Sequence, residues 1–216
     1  GLKIENNTCS SKKNFVISSY SNIDICKYKK IGEFAYSVTR KNLDKSSSAD
    51  VYSVTKYKGF VRSLDYFKRQ VFSKDLSNYK VVKKGEFAYS TIHIDEGAIG
   101  LLREKEALIS PMYTVFKVDK SVDNLYIEYL LRSTVLKKKY GEIGQGSVSR
   151  RKSVPFTSFA NLQVRLPPVT EQKRISEILT CVESTILLKQ KKLLKIKLTK
   201  QSLMQDFLSG HKSVNI

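Results

Sequence analysis

The chain has 216 residues, 41% of them hydrophobic and 27% charged, which is enough apolar material for one core plus an appendage and too much for a disordered polymer. Its 39 Lys and Arg against 20 Asp and Glu give a formal charge of +19 and a pI near 9.8. An excess this large points to a polyanion, nucleic acid before a membrane surface, because each phosphate contact releases condensed counterions. No apolar run is long enough to span a bilayer, and the opening Gly1–Asn7 has no signal-peptide core, so a cytoplasmic protein is expected. Cys9, Cys26 and Cys181 are an odd, scattered set without paired metal spacing, which argues against a disulfide framework and a zinc site.

In chain order, residues 1–22 are polar and read as a tail or a loosely attached segment. From Ile23 to Ala35 alternation predicts a strand followed by a turn at Gly32. Asn42–Asp50, with three consecutive serines, is a loop by composition. Val51–Thr55 is rich in β-branched and aromatic residues and predicts a strand ending at the turn Lys56-Tyr57-Lys58-Gly59. Lys80–Ser90 predicts two short strands about a turn, and Ala98–Leu102 and Met112–Val118 are further strands, with Ser110-Pro111 breaking before the second. Asp123–Lys139 has helical spacing of Leu125, Ile127, Tyr129, Leu130 and Leu131 and predicts one internal helix. The hexapeptide Gly-Glu-Phe-Ala-Tyr-Ser occurs at Gly32–Ser37 and again at Gly85–Ser90, but the flanks do not match, so two similar turn-and-strand solutions are preferred to a duplication.

The most organised stretch comes last. Pro167-Pro168 forbids a helix before it, and Thr170, Glu171 and Gln172 suit a helix start, so a helix is expected from near Thr170 to about Leu208. Ile175, Leu179, Val182, Ile186, Lys189, Leu193, Ile196, Lys200, Leu203 and Phe207 recur at alternating steps of four and three, a heptad seam. Such a helix, on the order of 57 Å long, exceeds what its own domain needs and is expected to pair with another helix. Lys189 and Lys200 interrupt the seam and suggest a specified register. The fold class expected is α+β: a mixed, mainly antiparallel β domain over residues 23–166, a long coiled-coil helix over 167–210 and a tail over 211–216.

Tyr52-Ser53-Val54-Thr55, Tyr66-Phe67, Asp75–Tyr89, Gly97–Leu102, Ser110–Phe116 and Leu166–Ile175 together resemble the target-recognition domain and following spacer helix of the specificity subunit of type I restriction-modification systems. The resemblance runs in consistent order over residues 28–208 and is specific as a set rather than piece by piece. It implies a non-catalytic subunit that reads double-stranded DNA, with no cofactor or metal of its own. Partner subunits would methylate adenine with S-adenosylmethionine or cleave DNA with ATP. The family pattern has two recognition domains and two spacer helices, whereas this sequence has one of each. It is therefore either a half-sized subunit that pairs with a copy of itself through antiparallel helices, or a piece of a longer protein. The half-sized reading is preferred, since the stretch before residue 28 carries no long heptad helix.

A base-reading surface needs Arg, Lys, Asn, Gln and Ser on loops that enter a groove. Gly141–Ser153 offers glycines, small hydroxyls and cations, and within it Gln145, Ser147, Ser149, Arg150, Arg151 and Lys152 are candidates. Arg40, Lys41, Lys56, Tyr57, Lys58, Arg62, Lys68 and Arg69 form a second set in which cations alternate with aromatics, and Ser90, Thr91 and His93 are expected to present polar tips near the same face. Each of these residues is equally consistent with a solvated or packing role. Glu171-Gln172-Lys173 has the form of a nuclease Glu-x-Lys but lacks a fitting upstream Asp. Leu166-Pro167-Pro168-Val169 lacks the Asn and aromatic of an adenine methyltransferase motif, so neither enzyme is favoured. The rival functions are a non-catalytic antagonist that occupies methyltransferase subunits without reading a site, and an RNA-binding domain.

Overall fold

In the computed structural model, residues 26–43, 48–145 and 153–213 are described. The alternation in Phe87-Ala88-Tyr89-Ser90 sets the layering, because successive side chains of a strand point to opposite faces. Phe87 and Tyr89 join the larger core under the helices, whereas Ala88 packs in a second core between two sheets. That strand, β6 (Phe87–Ser90), lies in an antiparallel sheet with β2 (Ala35–Val38), β7 (Ile99–Leu101) and β9 (Tyr113–Val118), in the order β2-β9-β6-β7. Phe116 and Val115 divide in the same way on β9.

The second sheet has the order β4-β3-β8-β5, from β3 (Val51–Thr55), β4 (Gly59–Arg62), β5 (Lys80–Lys83) and β8 (Glu106–Ile109); β3 and β8 run parallel and the other pairs antiparallel. Val54, Val82, Ala107 and Ile109 face the first sheet, while Val51, Val81 and Leu108 meet Phe72, Leu76 and Tyr79 on the outer side. Residues 26–30 and 163–166 close the body, where β1 (Lys27–Lys30) pairs antiparallel with β10 (Gln163–Leu166).

The helical layer is α2 (Asn124–Leu131), α3 (Thr134–Ile143) and α4 (Phe156–Ala160), and a short α1 (Ser63–Phe67) follows β4. Phe87 stacks on Phe116 with ring centroids 5.0 Å apart, and Tyr89 on Phe159 at 5.1 Å. The buried Tyr89 hydroxyl donates to the Val154 carbonyl at 3.1 Å, and burial raises the pKa of its phenol. The single helix expected over 123–139 is two. Arg132 ends α2, and Ser133, in an extended conformation, restarts the chain by accepting the Leu136 amide at its side chain. Continuous apolar spacing hid this break, although a serine in that position is a helix-start signal.

Both copies of the hexapeptide flank β9, but their environments differ. Gly32 sits in a 3-10 turn and Tyr36 is exposed, whereas Gly85 has φ +85° and Tyr89 is fully buried. The long helix is present as α5 (Val169–Leu208). Gln172, buried, fastens its first turn by accepting the Asp123 amide at 2.9 Å and donating to the Pro167 carbonyl at 2.9 Å. Residues through Arg174 belong with the β-rich body, and α5 from Ile175 onward belongs to a second unit. This is the α+β fold with a long C-terminal helix expected from the sequence.

The first sheet meets the tip of the second at two glycines. Gly59 has φ +63°, and a Cβ built on Gly100 would stand 3.0 Å from the Gly59 Cα and 3.3 Å from the Phe60 nitrogen. The obstacle is backbone and cannot swing aside. Gly100→Ala should therefore lower stability by about 1–3 kcal/mol, the usual range for overpacking, measured as a lower urea midpoint with unchanged m-value.

Candidate nucleic-acid interface

Two strands rich in Val, Tyr and Phe make the β3–β4 hairpin, and its turn puts Lys56, Tyr57 and Lys58 at the tip. The turn is held from inside by Thr55, whose hydroxyl donates to the Gly59 carbonyl at 3.2 Å and accepts the Lys58 amide at 3.3 Å. From outside, Arg132 at the end of α2 donates to the Tyr57 carbonyl. Arg132 itself lies 4.0 Å from the carboxylate of Glu128, which also binds Arg103 at 2.7 Å and accepts the Leu101 amide at 3.3 Å. Tyr57 is 75% exposed above this support. The Lys56 ammonium lies 5.0 Å from the Tyr57 ring centroid and 3.6 Å from Glu96, and its pKa is raised first by the Tyr57 phenol and then by Glu96.

Glu96 also meets His93, with Nδ1 to Oε1 at 3.4 Å, so the loop of residues 91–97 adjoins the hairpin tip. The Thr91 carbonyl accepts the Val154 amide at 2.8 Å. Next to Val154, Ser153 exchanges both backbone hydrogen bonds with Gln145, at 2.9 and 2.8 Å. Gln145 further donates from its side chain to the Ser158 hydroxyl at 3.3 Å. Backbone bonds thus link the Gln145–Ser153 bridge to loop 91–97, and Glu96 links that loop to the hairpin tip. Ser147, Ser149, Arg150, Arg151 and Lys152 lie outside the described residues.

On the far side of the hairpin, Lys58 stands 5.9 Å from the Tyr66 ring, and Tyr66 packs edge-on against Phe67 at 4.9 Å. Both rings are more than 40% exposed, and Lys68, the left-handed cap of α1 at φ 56°, and Arg69 follow them at the surface. Arg62 is already engaged by Asp50 at 2.8 Å, which raises its pKa.

The remaining expectations separate from this surface. Ser90 is not an exposed polar tip: it is 6% exposed at the end of β6, with its amide bonded to the Ala98 carbonyl. Arg40 is ion-paired with the nearly buried Glu86, and Lys41 bridges to Lys80 beside β5, the opposite edge of the sheet from β4. Lys80 donates to the Tyr113 carbonyl at 2.6 Å, and its pKa is lowered by burial first and then by Lys41. Sequence reasoning gave no role to Glu128, Arg103 or Arg132. Neither the positions of Glu128 and Arg132 on α2 nor that of Arg103 after β7 carried a signal of the hairpin they support.

Along α5, Leu179, Val182, Ile186, Leu193, Ile196, Leu203 and Phe207 are 37–55% exposed, with Lys189 and Lys200 exposed among them. Leu187, Leu194 and Leu208 form a second exposed apolar edge one residue further round. Ser184, Thr185, Thr199 and Ser209 bond back to carbonyls one turn earlier and so satisfy their own hydroxyls. Among the described residues no helix is long and apolar enough to cross a membrane.

Removing the carboxylate of Glu128 strips two guanidinium groups and one amide of their acceptor. Glu128→Ala should lower stability by roughly 1–3 kcal/mol, and hydrogen exchange should quicken at residues 55–59 before the rest of the body.

Residues 24–198 match the family described as the type I restriction modification DNA specificity domain. The HsdS subunit of Thermoanaerobacter tengcongensis superposes with a TM-score of 0.61 at 17% identity, covering 90% of this chain and 52% of that one. A chain from a study of assembly and conformational transition of the type I R-M system gives 0.56 at 13% identity, covering 86% and 45%. The type I restriction-modification S subunit from M. genitalium gives 0.52 at 12%, covering 84% and 45%. At these identities the likeness shows the fold, and the chain spans about half the length of the solved structures it matches.

Proposed function

Because the chain belongs to the family of type I restriction-modification DNA specificity domains, we propose that it is the sequence-reading subunit of such a system. It is non-catalytic and homodimeric, reads one half of a bipartite double-stranded DNA target, and docks methyltransferase and restriction subunits. The observation that carries this reading is a cationic, aromatic-tipped surface on the body of a chain whose long helix leaves an apolar seam exposed.

The coiled-coil pairing is antiparallel. Glu171, Glu177 and Glu183 lie in the first half of α5, and Lys189, Lys191, Lys192, Lys195, Lys197 and Lys200 in the second. Parallel helices would set each seam lysine against itself. Antiparallel helices in full overlap set Phe207 against the partner's Ile175, Leu203 against the partner's Leu179, and Ile196 against the partner's Ile186. In that register Lys200 meets the partner's Val182 and Lys189 the partner's Leu193, so no lysine faces a lysine across the seam. The edge of Leu187, Leu194 and Leu208 remains for the methyltransferase subunits.

Two identical readers related by a two-fold axis prefer an inverted repeat with an unread spacer. Selection from random duplexes by the protein with its methyltransferase should return that pattern. Capture of methyltransferase with no duplex preference would instead identify an antagonist. Arg150→Ala and Arg151→Ala should weaken binding, by roughly 1–3 kcal/mol at one position if that arginine reads a base; parental affinity in both removes the basic loop from the interface. In a background without native cysteines, spin labels at Gln205→Cys should lie about 42 Å apart along the pair, at about 1.5 Å per residue, and labels at Lys191→Cys directly across it. A parallel pair gives the same short separation at both sites.

A further inference from the structure

The hairpin tip is built more firmly than a chain reversal requires. Thr55 closes it internally, Arg132 reaches from α2 to the Tyr57 carbonyl, Lys56 is tied to Glu96, and Gly59 is pressed against Gly100. The scaffold holds the Tyr57 ring out into solvent, 75% exposed, with the Lys56 ammonium over it and Lys58 following in sequence. A tethered aromatic gives up little conformational freedom on binding, which is where a flexible tip loses affinity. A two-stranded β-ribbon fits the major groove, and there the flanking ammonium groups reach phosphates while the central side chain faces the base pairs.

Resting on the DNA-reading function above, we infer that Tyr57 contacts bases rather than phosphates and determines the preference at the base step beneath the hairpin tip. Lys56 and Lys58 act as its phosphate anchors, and Arg132 is a positioning residue that fixes the angle of the tip. The Glu96 partner of Lys56 is half-exposed, so a phosphate replaces it at small energetic loss.

The chain contains no Trp, so Tyr57→Trp introduces a single indole at the tip. The probe is a fluorescently end-labelled duplex of the sequence recovered in the selection above, with anisotropy reporting binding. The indole should be quenched and shielded from acrylamide as the complex forms, whereas an indole at Tyr28→Trp, a site 71% exposed on β1, should be unaffected. Tyr57→Ala should weaken binding by roughly tenfold, the range seen when an aromatic base contact is removed. It should leave the dependence of log K on log salt unaltered, since no charge is lost. Selection repeated with Tyr57→Ala should lose preference at one or two adjacent positions, and Tyr57→Phe should keep it.

The inference is overturned if the indole at position 57 is unaffected while anisotropy shows saturation, or if Tyr57→Ala returns the parental preference. It also falls if Tyr57→Ala flattens the salt dependence, since the tip would then be acting through phosphate contacts. If the parent protein shows no preference among duplexes, the broader functional reading fails, and this one with it.

Discussion

The carboxylate of Glu128 is the constraint on which the hairpin surface depends. It is 7% exposed, yet it engages a guanidinium from the β7–β8 connection, a strand amide from β7 and, more loosely, the guanidinium that holds the β3–β4 turn. A carboxylate withdrawn from water is tolerated only with such partners, and each partner is in turn located by it. One helix of the core thereby fixes the position of a loop that belongs to a different sheet. Gly100 adds the steric half of the same junction, since the hairpin could not approach β7 past a side chain.

The net charge of +19 does not act as a uniform coat. Arg40 is bound to a carboxylate with a side chain only 10% exposed, and extracting it for a phosphate would strand Glu86 in the interior. Lys56 and its acid partner are 45% and 50% exposed, and pairs of that kind contribute from nothing to about 1 kcal/mol. Exchange of Glu96 for a phosphate is therefore close to neutral, while exchange of Glu86 is not. Cations of equal formal charge thus differ in availability: Lys56 and Lys58 at the hairpin tip and Lys68 and Arg69 after α1 are exposed, as are the lysines along α5.

Strands with β-branched or aromatic residues, such as Val51–Thr55 and Tyr113–Val118, were legible because composition and alternation agreed. Glu106–Ile109 was not: Glu-Ala-Leu-Ile carries little strand propensity, and the strand exists because β3 and β5 supply partners on both sides. The long helix was legible from its prolines and heptads, and its polar seam positions with it. The cations of the site could be named from sequence, but their acid partners could not. Arg40 meets Glu86 across 46 residues, and Arg62 meets Asp50, which lies just before the neighbouring strand β3. Ser90 was misjudged because a serine in a strand gives no indication of which face is covered, and here two sheets enclose it.

The two lysines in the α5 seam bring these lines together. An all-leucine seam would tolerate many registers, parallel and antiparallel, with similar free energies, and a ruler with several lengths cannot measure a spacer. Placing a charge at Lys189 and Lys200 weakens the pair but penalises unequally the arrangements in which lysine meets lysine. In the proposed dimer, full antiparallel overlap avoids every such meeting and brings Glu183 of each helix level with Thr199 of the other, beside its Lys200. If the chain reads a split site as proposed, it needs one inter-domain distance more than it needs the tightest dimer. In the proposed dimer the seam sacrifices affinity for a single spacing, just as the hairpin, held by Thr55 and Arg132, sacrifices flexibility for a single orientation of its tip.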